Sequence, residues 1–455
     1  MSVPRTPAGL QALTQQAVSL ARAAGADVAD ACAEASRAFT VRVHGGGIES
    51  LKQSGTLGIG VRAIVGGAVG FASGTDTTPE GLEDLARRAV SLAHFATPDE
   101  AQGAPTLEES GEALGDDLEL YDEASAGLGA ERKIEMALEL ERITLAHDPR
   151  VTRCDGSAVS SAQGTFAIAN SHGLSRAWQG TSVNAWVVAL AQDGPKQQSG
   201  VHGISRRFLA DMPSMESIAR EAARRAAARV GARTVPTARV PVVMHPDIAA
   251  SWLAQMYDAM TGEAVLQKRS WLEGKVGAVI ASNLVNIIDD GRMRRGLGTS
   301  PYDGEGAPTR RSVLVDAGIF RGFAYDHYHA RRAGVRSTGN GSRGFASTPG
   351  VGYHNLCIAR GATPVDELIR RVDRGFYYDD SGSFGFNSVT GDYSFQAQGM
   401  WIEKGEKAYP VDGITVAGNT LQMLRDIAAV GDDLEWRASV ASPTLLISEM
   451  TVSGS

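Results

Sequence analysis

Residues 387–419 read NSVTGDYSFQAQGMWIEKGEKAYPVDGITVAGN. Tyr393, Phe395, Ala397 and Gly399 alternate with Ser394, Gln396, Gln398 and Met400. An alternation of period two marks a strand with one buried and one exposed face. Glu403-Lys404-Gly405-Glu406-Lys407 is a charged hairpin tip in which Gly405 is free to adopt positive φ. Tyr409 to Val416 returns as a second strand. Asn419 then caps a helix expected over Thr420–Ala429, with Gly431 closing it at the position after the last turn. Strand, hairpin, strand and helix of this kind belong to an antiparallel α+β domain.

The rest of the chain sets bounds on that reading. With 455 residues there is room for two or three domains and ample core. Apolar residues make up 43%, and the 53 glycines exceed the usual share, which favours turns and short strands over a helical bundle. The net charge of −8 excludes a chain-wide nucleic-acid surface. No apolar run reaches the roughly 18 residues of a membrane span, and MSVPRTPAGLQ lacks the pattern of a secretion signal. Cys32, Cys154 and Cys357 are odd in number, far apart and form no CxxC, as expected of buried thiols in a reducing compartment. A cytoplasmic protein is the expectation, without membrane or nucleic-acid partners.

Towards the N-terminus, Leu10, Leu13, Ala17, Leu20, Ala21 and Ala24 predict an amphipathic helix ending near Gly25. Alternating strands follow around Phe39–Val43 and Leu57–Ala63, with a turn at Gly66-Gly67. A helix begins at Thr78-Pro79. A second unit repeats the order: a helix over 130–147, strands over 164–170 and 175–188, and a closing helix over Glu216–Val230. The fold class expected is α+β in two domains. An N-terminal domain, 1–235, holds two similar helix–strands–helix units at about 1–97 and 129–232. A mostly antiparallel β domain with a few helices, 236–455, follows. Between Asp99 and Glu123 stand ten acidic residues and no basic one, which predicts an exposed connector. Docking of this acidic segment on a basic partner surface is the alternative. Arg220, Arg224, Arg225 and Arg229 crowd the end of the closing helix, where cations suit the dipole.

In the C-terminal half, Val240–Met244 reads as a buried strand and Pro246-Asp247 opens a helix through Met260. Ala278–Ile288 is expected to be a long strand, and Ser312–Val315 with Gly318–Tyr325 a hairpin. Arg332–Gly352 is expected to be a long loop, and Tyr353–Ala359 and Thr444–Val452 strands.

The quoted stretch, together with NIIDDGRM at 286–293 and RSTGNG at 336–341, resembles the TldD/TldE (PmbA) family. The resemblance covers most of the chain. In the catalytic half of that family a HExxxH helix follows the first strand of the C-terminal domain, and a cysteine lies near the C-terminus. Two histidines on one helix face hold Zn²⁺ while the glutamate activates water. Here the corresponding residues, 246–260, contain no histidine, and no cysteine follows Gly431. The resemblance therefore implies the TldE-like, zinc-free subunit of a heterodimeric metalloprotease that trims unfolded peptides, including antibiotic precursors. No cofactor is expected in this chain, and zinc is expected in a TldD-like partner. Extended peptides would be the substrates. A stand-alone protein-binding modulator of the gyrase-modulator type, or a homodimer, is the alternative reading.

Other chemistry is weakly supported. His327 and His329, two residues apart, share a face only on a strand, and with His354 they form the one alternative metal set. His245 reads as a strand-end residue. Gly339 to Gly344 matches GxGxxG, but Ser347-Thr-Pro-Gly350 follows where a dinucleotide site needs a helix. A mobile glycine-rich loop beside a peptide channel fits better. Asp379-Asp380 and Asp392 could form an acid–base pair, although Asp392 after Thr390-Gly391 suits turn stabilisation. Catalytic residues are expected to be absent, and peptide or partner contacts are expected at Arg336, Asn340, Gly341 and Asp392.

Overall fold

The structure is a computed structural model and describes residues 5–111, 117–382 and 385–454. Helix α1 (Pro7–Ala23) starts where the Thr6 hydroxyl accepts the Gly9 N–H. Strands β1 (Val28–His44), β2 (Gly47–Val65) and β3 (Ala68–Gly74) follow, then α2 (Pro79–Ala93) behind its Thr78 cap. Two single turns, α3 (Leu107–Ser110) and α4 (Glu123–Ala126), lie in the connector. The second unit is α5 (Ala130–His147), β4 (Val151–Asn170), β5 (Ser175–Asp193), β6 (Lys196–Arg206) and α6 (Met215–Ala228).

All six strands join one antiparallel sheet in the order β3-β2-β1-β4-β5-β6, so the units meet through β1 and β4. Ala29, Ala31, Ala33 and Ala35 of β1 face α1 and α2, while Val41 and Val43 pack with residues of α5 and α6. Alternation sends Asp30, Cys32 and Glu34 to the other face. A close approach repeats in each unit. A Cβ on Gly70 of β3 would lie 1.9 Å from the Ala89 carbonyl of α2, and one on Gly200 of β6 would lie 2.2 Å from the Ala222 carbonyl of α6. Helix backbone thus presses on an edge strand where only glycine fits.

The C-terminal domain opens with β7 (Ala238–Met244), α7 (Pro246–Met256) and α8 (Gly262–Leu266). Then come β8 (Ile287–Asp290), β9 (Arg311–Asp316), β10 (Ile319–Phe320), α9 (His327–Ala333), β11 (Gly341–Ser342), β12 (Gly350–Val351) and β13 (Leu356–Ile358). The chain ends with α10 (Val365–Arg370), β14 (Arg374–Ser381), β15 (Asp392–Glu403), β16 (Glu406–Asn419), α11 (Thr420–Arg425), β17 (Ile427–Val430), β18 (Val440–Ala441) and β19 (Leu445–Ser453). Strands β16-β15-β14-β7-β19-β17 form one sheet, and an added β16–β19 pairing closes its first five strands into a barrel. Tyr393, Phe395 and Ala397 point into this barrel with Trp401, Phe376 and Tyr378, as the alternation of the quoted stretch predicts. The Trp252 indole N–H of α7 donates to the Thr420 hydroxyl, 3.2 Å away, and ties the helix to the barrel. The architecture is mixed α+β, with a β-rich C-terminal half.

Several expectations fail locally. Residues 278–286 are not a strand. Only Val279 bridges to Ile319, and the Ser282-Asn283-Leu284 turn interrupts the run, with Val285 N–H bonded to Ser282 O. The helix expected to reach Ala429 stops at Arg425, because Ile427 and Ala429 pair with β19. Gly431 does not cap it. Its N–H donates to the Thr444 carbonyl. Strand structure in 318–325 is confined to Ile319–Phe320. The expected 353–359 strand shrinks to Leu356–Ile358.

Candidate functional site: a groove between the domains

The groove follows from strand register. Glu34 on β1 opposes Gly58 on β2 and Phe166 on β4, and Phe166 in turn opposes Trp178 on β5. Cross-strand partners share a face, so Glu34, Phe166 and Trp178 stand in a row on the side away from the helices. The Phe166 and Trp178 rings lie 4.5 Å apart, and Tyr302 from the C-terminal domain extends the aromatic wall at 6.1 Å from Trp178. The Arg176 guanidinium lies 4.8 Å from the Tyr302 ring centre. Two adjoining cavities run along this wall. One, of about 460 Å³, is lined by Gln163, Thr165, Ser182, Arg207, Leu297 and others. A second, of about 220 Å³, reaches Asp303, Asn340, Gly341, Tyr353 and His354.

The glycine-rich segment 339–352 closes one end of the groove. Its β11–β12 hairpin, held at both sides, replaces the long strandless loop expected over 332–352. The Gly341 N–H donates to Asp303 Oδ2 at 2.9 Å, and a Cβ there would meet Asp303 and Glu305 at about 3 Å. Asn340 donates to Asp289 Oδ2 at 2.7 Å and to the Gly352 carbonyl at 2.9 Å. Farther along, Phe345 lies over Gly58, where a Cβ would come within 2.2 Å of its ring. Arg343 donates to Asp30 of β1, and Arg62 donates to the other Asp30 oxygen at 2.8 Å. All three side chains are at most 4% exposed. Burial pushes the Asp30 carboxyl up, but the two guanidinium groups outweigh it and hold it below the usual range. Nearby, Glu305 is driven upward by burial and by Asp303.

The acidic connector also lies against its own chain, which corrects its reading as an exposed, solvated segment. Asp99 accepts from the Tyr328 hydroxyl at 2.7 Å. Glu109 faces Arg331 at 3.5 Å. Glu119 accepts from both Arg294 and Arg295, and the Arg295 N–H donates to the Leu118 carbonyl at 2.9 Å. The central part of this expectation, residues 112–116, lies outside the described residues.

The expected contact residues separate. Asn340 and Gly341 come together at the groove's end, in the cavity that His354 also lines. Arg336 is exposed beyond α9. Asp392 sits at the far end of the barrel strand, accepting from the Thr390 hydroxyl at 2.7 Å and from Asn419 at 3.0 Å. That is the turn-stabilising role. Asp379 and Asp380 do not meet Asp392. They bind Arg229 at 3.1 and 2.6 Å and fix the end of α6 to β14. Arg225 pairs with Glu221 and Asp247 in the same way.

The alternative metal set disperses. His327 and His329 lie on helix α9, where residues two apart diverge, so the strand geometry they need is absent. The His327 N–H donates to Glu305 at 2.7 Å, His329 bonds Asp326 at 2.8 Å, and His354 bonds Asp289 at 3.2 Å. Among the described residues, no three His, Cys, Asp or Glu side chains are grouped to hold a metal. Helix α7 likewise does not fit zinc. Ile248, Ala249, Trp252, Leu253 and Met256 are buried, and Asp247 binds Arg225 and Arg437 at 2.8 and 2.7 Å. His245 is its N-cap, accepting the Asp247 N–H at 3.1 Å, and burial pushes its pKa down to about 3.

Sequence profiles of one family match most of the chain: the PmbA/TldA metallopeptidase domain 1 at residues 29–93, the central domain at 123–230 and the C-terminal domain at 237–454. The chain belongs to the PmbA/TldD family. Its relatives include the metalloprotease PmbA of Escherichia coli O157:H7, 28% identical over 430 residues that cover 94% of this chain and 92% of that protein. A metalloprotease TldD homologue of Haemophilus influenzae is 27% identical over 428 residues, covering 87% and 86%. Among solved structures, a putative modulator of DNA gyrase from Thermotoga maritima superposes with a TM-score of 0.88 at 26% identity, covering 98% of this chain and all of the other. TldE from Thermococcus kodakarensis shares the fold, with a TM-score of 0.87 at 22% identity over 97% and 99% of the two chains. Both halves of the PmbA/TldD family are thus represented. No helix among the described residues is long and apolar enough to cross a membrane.

Proposed function

We propose that this chain is the zinc-free subunit of a cytoplasmic, two-chain PmbA/TldD-type metalloprotease that trims unfolded peptides. The observation that carries the proposal is helix α7. It occupies the place where the resemblance puts HExxxH, yet it offers Asp247, Ser251 and Gln255 among buried apolar side chains. Asp247, the one carboxylate there, is held by two arginines. A TldD-like partner supplies the metal and the attacking water. This chain supplies a wall of the peptide chamber.

The groove suits that role. Its half-buried aromatic row, flanked by Gln163, Thr165 and Ser182, offers stacking surface and hydrogen bonds without a dominant charge. An extended peptide of mixed sequence needs such a surface. Co-expression with a HExxxH-bearing relative from the same organism tests the pairing. A stable complex with one zinc per heterodimer is expected. A metal bound by this chain in isolation would overturn the reading.

A further inference from the structure

The larger cavity of the groove has a flat floor. Ser36, Gly164 and Gly180 are cross-strand partners on β1, β4 and β5, two residues along from the row of Glu34, Phe166 and Trp178 and on the same face. From β1 to β5 the floor spans about 10 Å, the length of about three extended residues. The two charged side chains that line this cavity stand at opposite ends of it, Glu34 on β1 and Arg207 against β5. A Cβ on Gly180 would lie 2.6 Å from Arg207 Nη1. Arg207 donates only to main-chain carbonyls. Its Nε reaches Gly296 at 2.7 Å, its Nη2 reaches Leu297 and Thr299 at 2.9 and 2.8 Å, and its Nη1 reaches Thr181 at a long 3.5 Å. A guanidinium carries five N–H groups, so one N–H of Nη1 is left over. Among the described residues no carboxylate pairs with Arg207, and burial, unopposed, lowers its pKa to about 10. By contrast, Arg62 and Arg343 at the other end of the groove share Asp30.

We infer that Arg207 receives the α-carboxylate of a peptide lying on this floor, so that the groove reads the free C-terminus of its ligand. The inference rests on the reading of the groove as a peptide channel. A carboxylate at Nη1 accepts the remaining N–H and supplies the counter-charge that the chain itself omits. The last residues of the ligand fit over Ser36, Gly164 and Gly180, because the two glycines raise no side chain and the serine only a hydroxymethyl group. The aromatic row flanks them on one side. Glu34 repels a carboxylate at the opposite end, so the direction is fixed: the peptide runs from β1 towards β5 and stops at Arg207. Such a groove distinguishes the end of a peptide from its middle while leaving the sequence free. Arg207 also ties residues 296–299 to β5, but that tie by itself creates no preference for a charged ligand.

Equilibrium binding to the full chain, followed by fluorescence anisotropy, tests it. The probe is one unstructured hexapeptide dansylated at its N-terminus and prepared both as the free acid and as the C-terminal amide. At pH 7 and low salt the acid is expected to bind about tenfold more tightly than the amide, and the gap is expected to narrow as salt rises. Arg207→Gln is expected to bring the acid down to the affinity of the amide and to leave the amide unchanged, whereas a damaged fold would weaken both. Gly180→Asp keeps the arginine with its carbonyl partners and sets a carboxylate beside Nη1, so it too is expected to abolish the gap, and it decides the matter if Arg207→Gln does not fold. Equal affinity of acid and amide for the wild type, or a gap that survives these substitutions, overturns the inference and leaves the peptide channel standing. Binding of neither form overturns both.

Discussion

Arg343, in the glycine-rich segment of the C-terminal domain, donates to Asp30 on the first strand of the N-terminal sheet. The pair joins residues 313 positions apart, and Arg62 completes a buried triad. A carboxylate between two guanidinium groups fixes the two domains across the end of the groove. Removing it takes from two buried cations the carboxylate they share and leaves only Glu305, 3.9 Å from Arg62, to offset them. Asp30→Ala is therefore expected to destabilise the protein by about 3–5 kcal/mol. Urea unfolding of the two variants checks this, with Asp30→Asn expected to cost less because it retains one acceptor.

The paired close approaches make a second prediction. Gly70→Ala and Gly200→Ala each drive a methyl group into helix backbone, at Ala89 and Ala222. Each is expected to cost about 1–3 kcal/mol, as overpacking does. The two sites lie in different units, so the double variant should lose the sum. Thermal melts of the three proteins decide. A neutral Gly200→Ala would mean that α6 does not press on β6 as described.

A third prediction concerns pH. His245 has its pKa depressed to about 3, chiefly by burial, and His202 likewise to about 4. Both bind a proton more readily when unfolded, where the ordinary value is 6.5. The stability they contribute is complete above that value and is lost as pH falls from 6.5 towards 4. One such group changes stability by at most about 1.4 kcal/mol per pH unit. His245→Asn keeps an acceptor at the N-cap and removes the titration. Unfolding measured at pH 4.5 and 7 should show a smaller difference for this variant than for the wild type.

The limits of the sequence are themselves physical. The barrel stretch was legible because large side chains, Tyr393, Phe395 and Trp401, mark the inner face. β1 was recognised only from Phe39, because its first half buries alanines, and Ala29 to Ala35 carry almost no strand signal. Those alanines are small because α1 and α2 pack closely on them. The acidic connector read as exposed because its cations, Arg294, Arg295 and Arg331, lie in a different domain. Asn340 and Gly341 were found through the family resemblance. Glu34, Phe166 and Trp178 were missed, since only strand register brings them into one row.

A fourth prediction tests the groove. Trp178 is half buried, stacks on Phe166 and makes no contribution to the main hydrophobic clusters. Trp178→Ala should leave the melting temperature nearly unchanged. In a complex with a zinc-bearing partner it should raise KM for an unfolded peptide several-fold with a smaller effect on kcat, since stacking of this kind is worth about 0.5–1.5 kcal/mol. A kcat collapse at unchanged KM would place Trp178 elsewhere in the reaction.

The most direct measurement is cleavage of an unfolded peptide by this chain alone, by a HExxxH-bearing relative alone and by the two together, each with and without a zinc chelator. Chelator-sensitive cleavage that needs both chains, together with an inert preparation of this chain by itself, is the predicted result. Zinc-dependent cleavage by this chain on its own would contradict it.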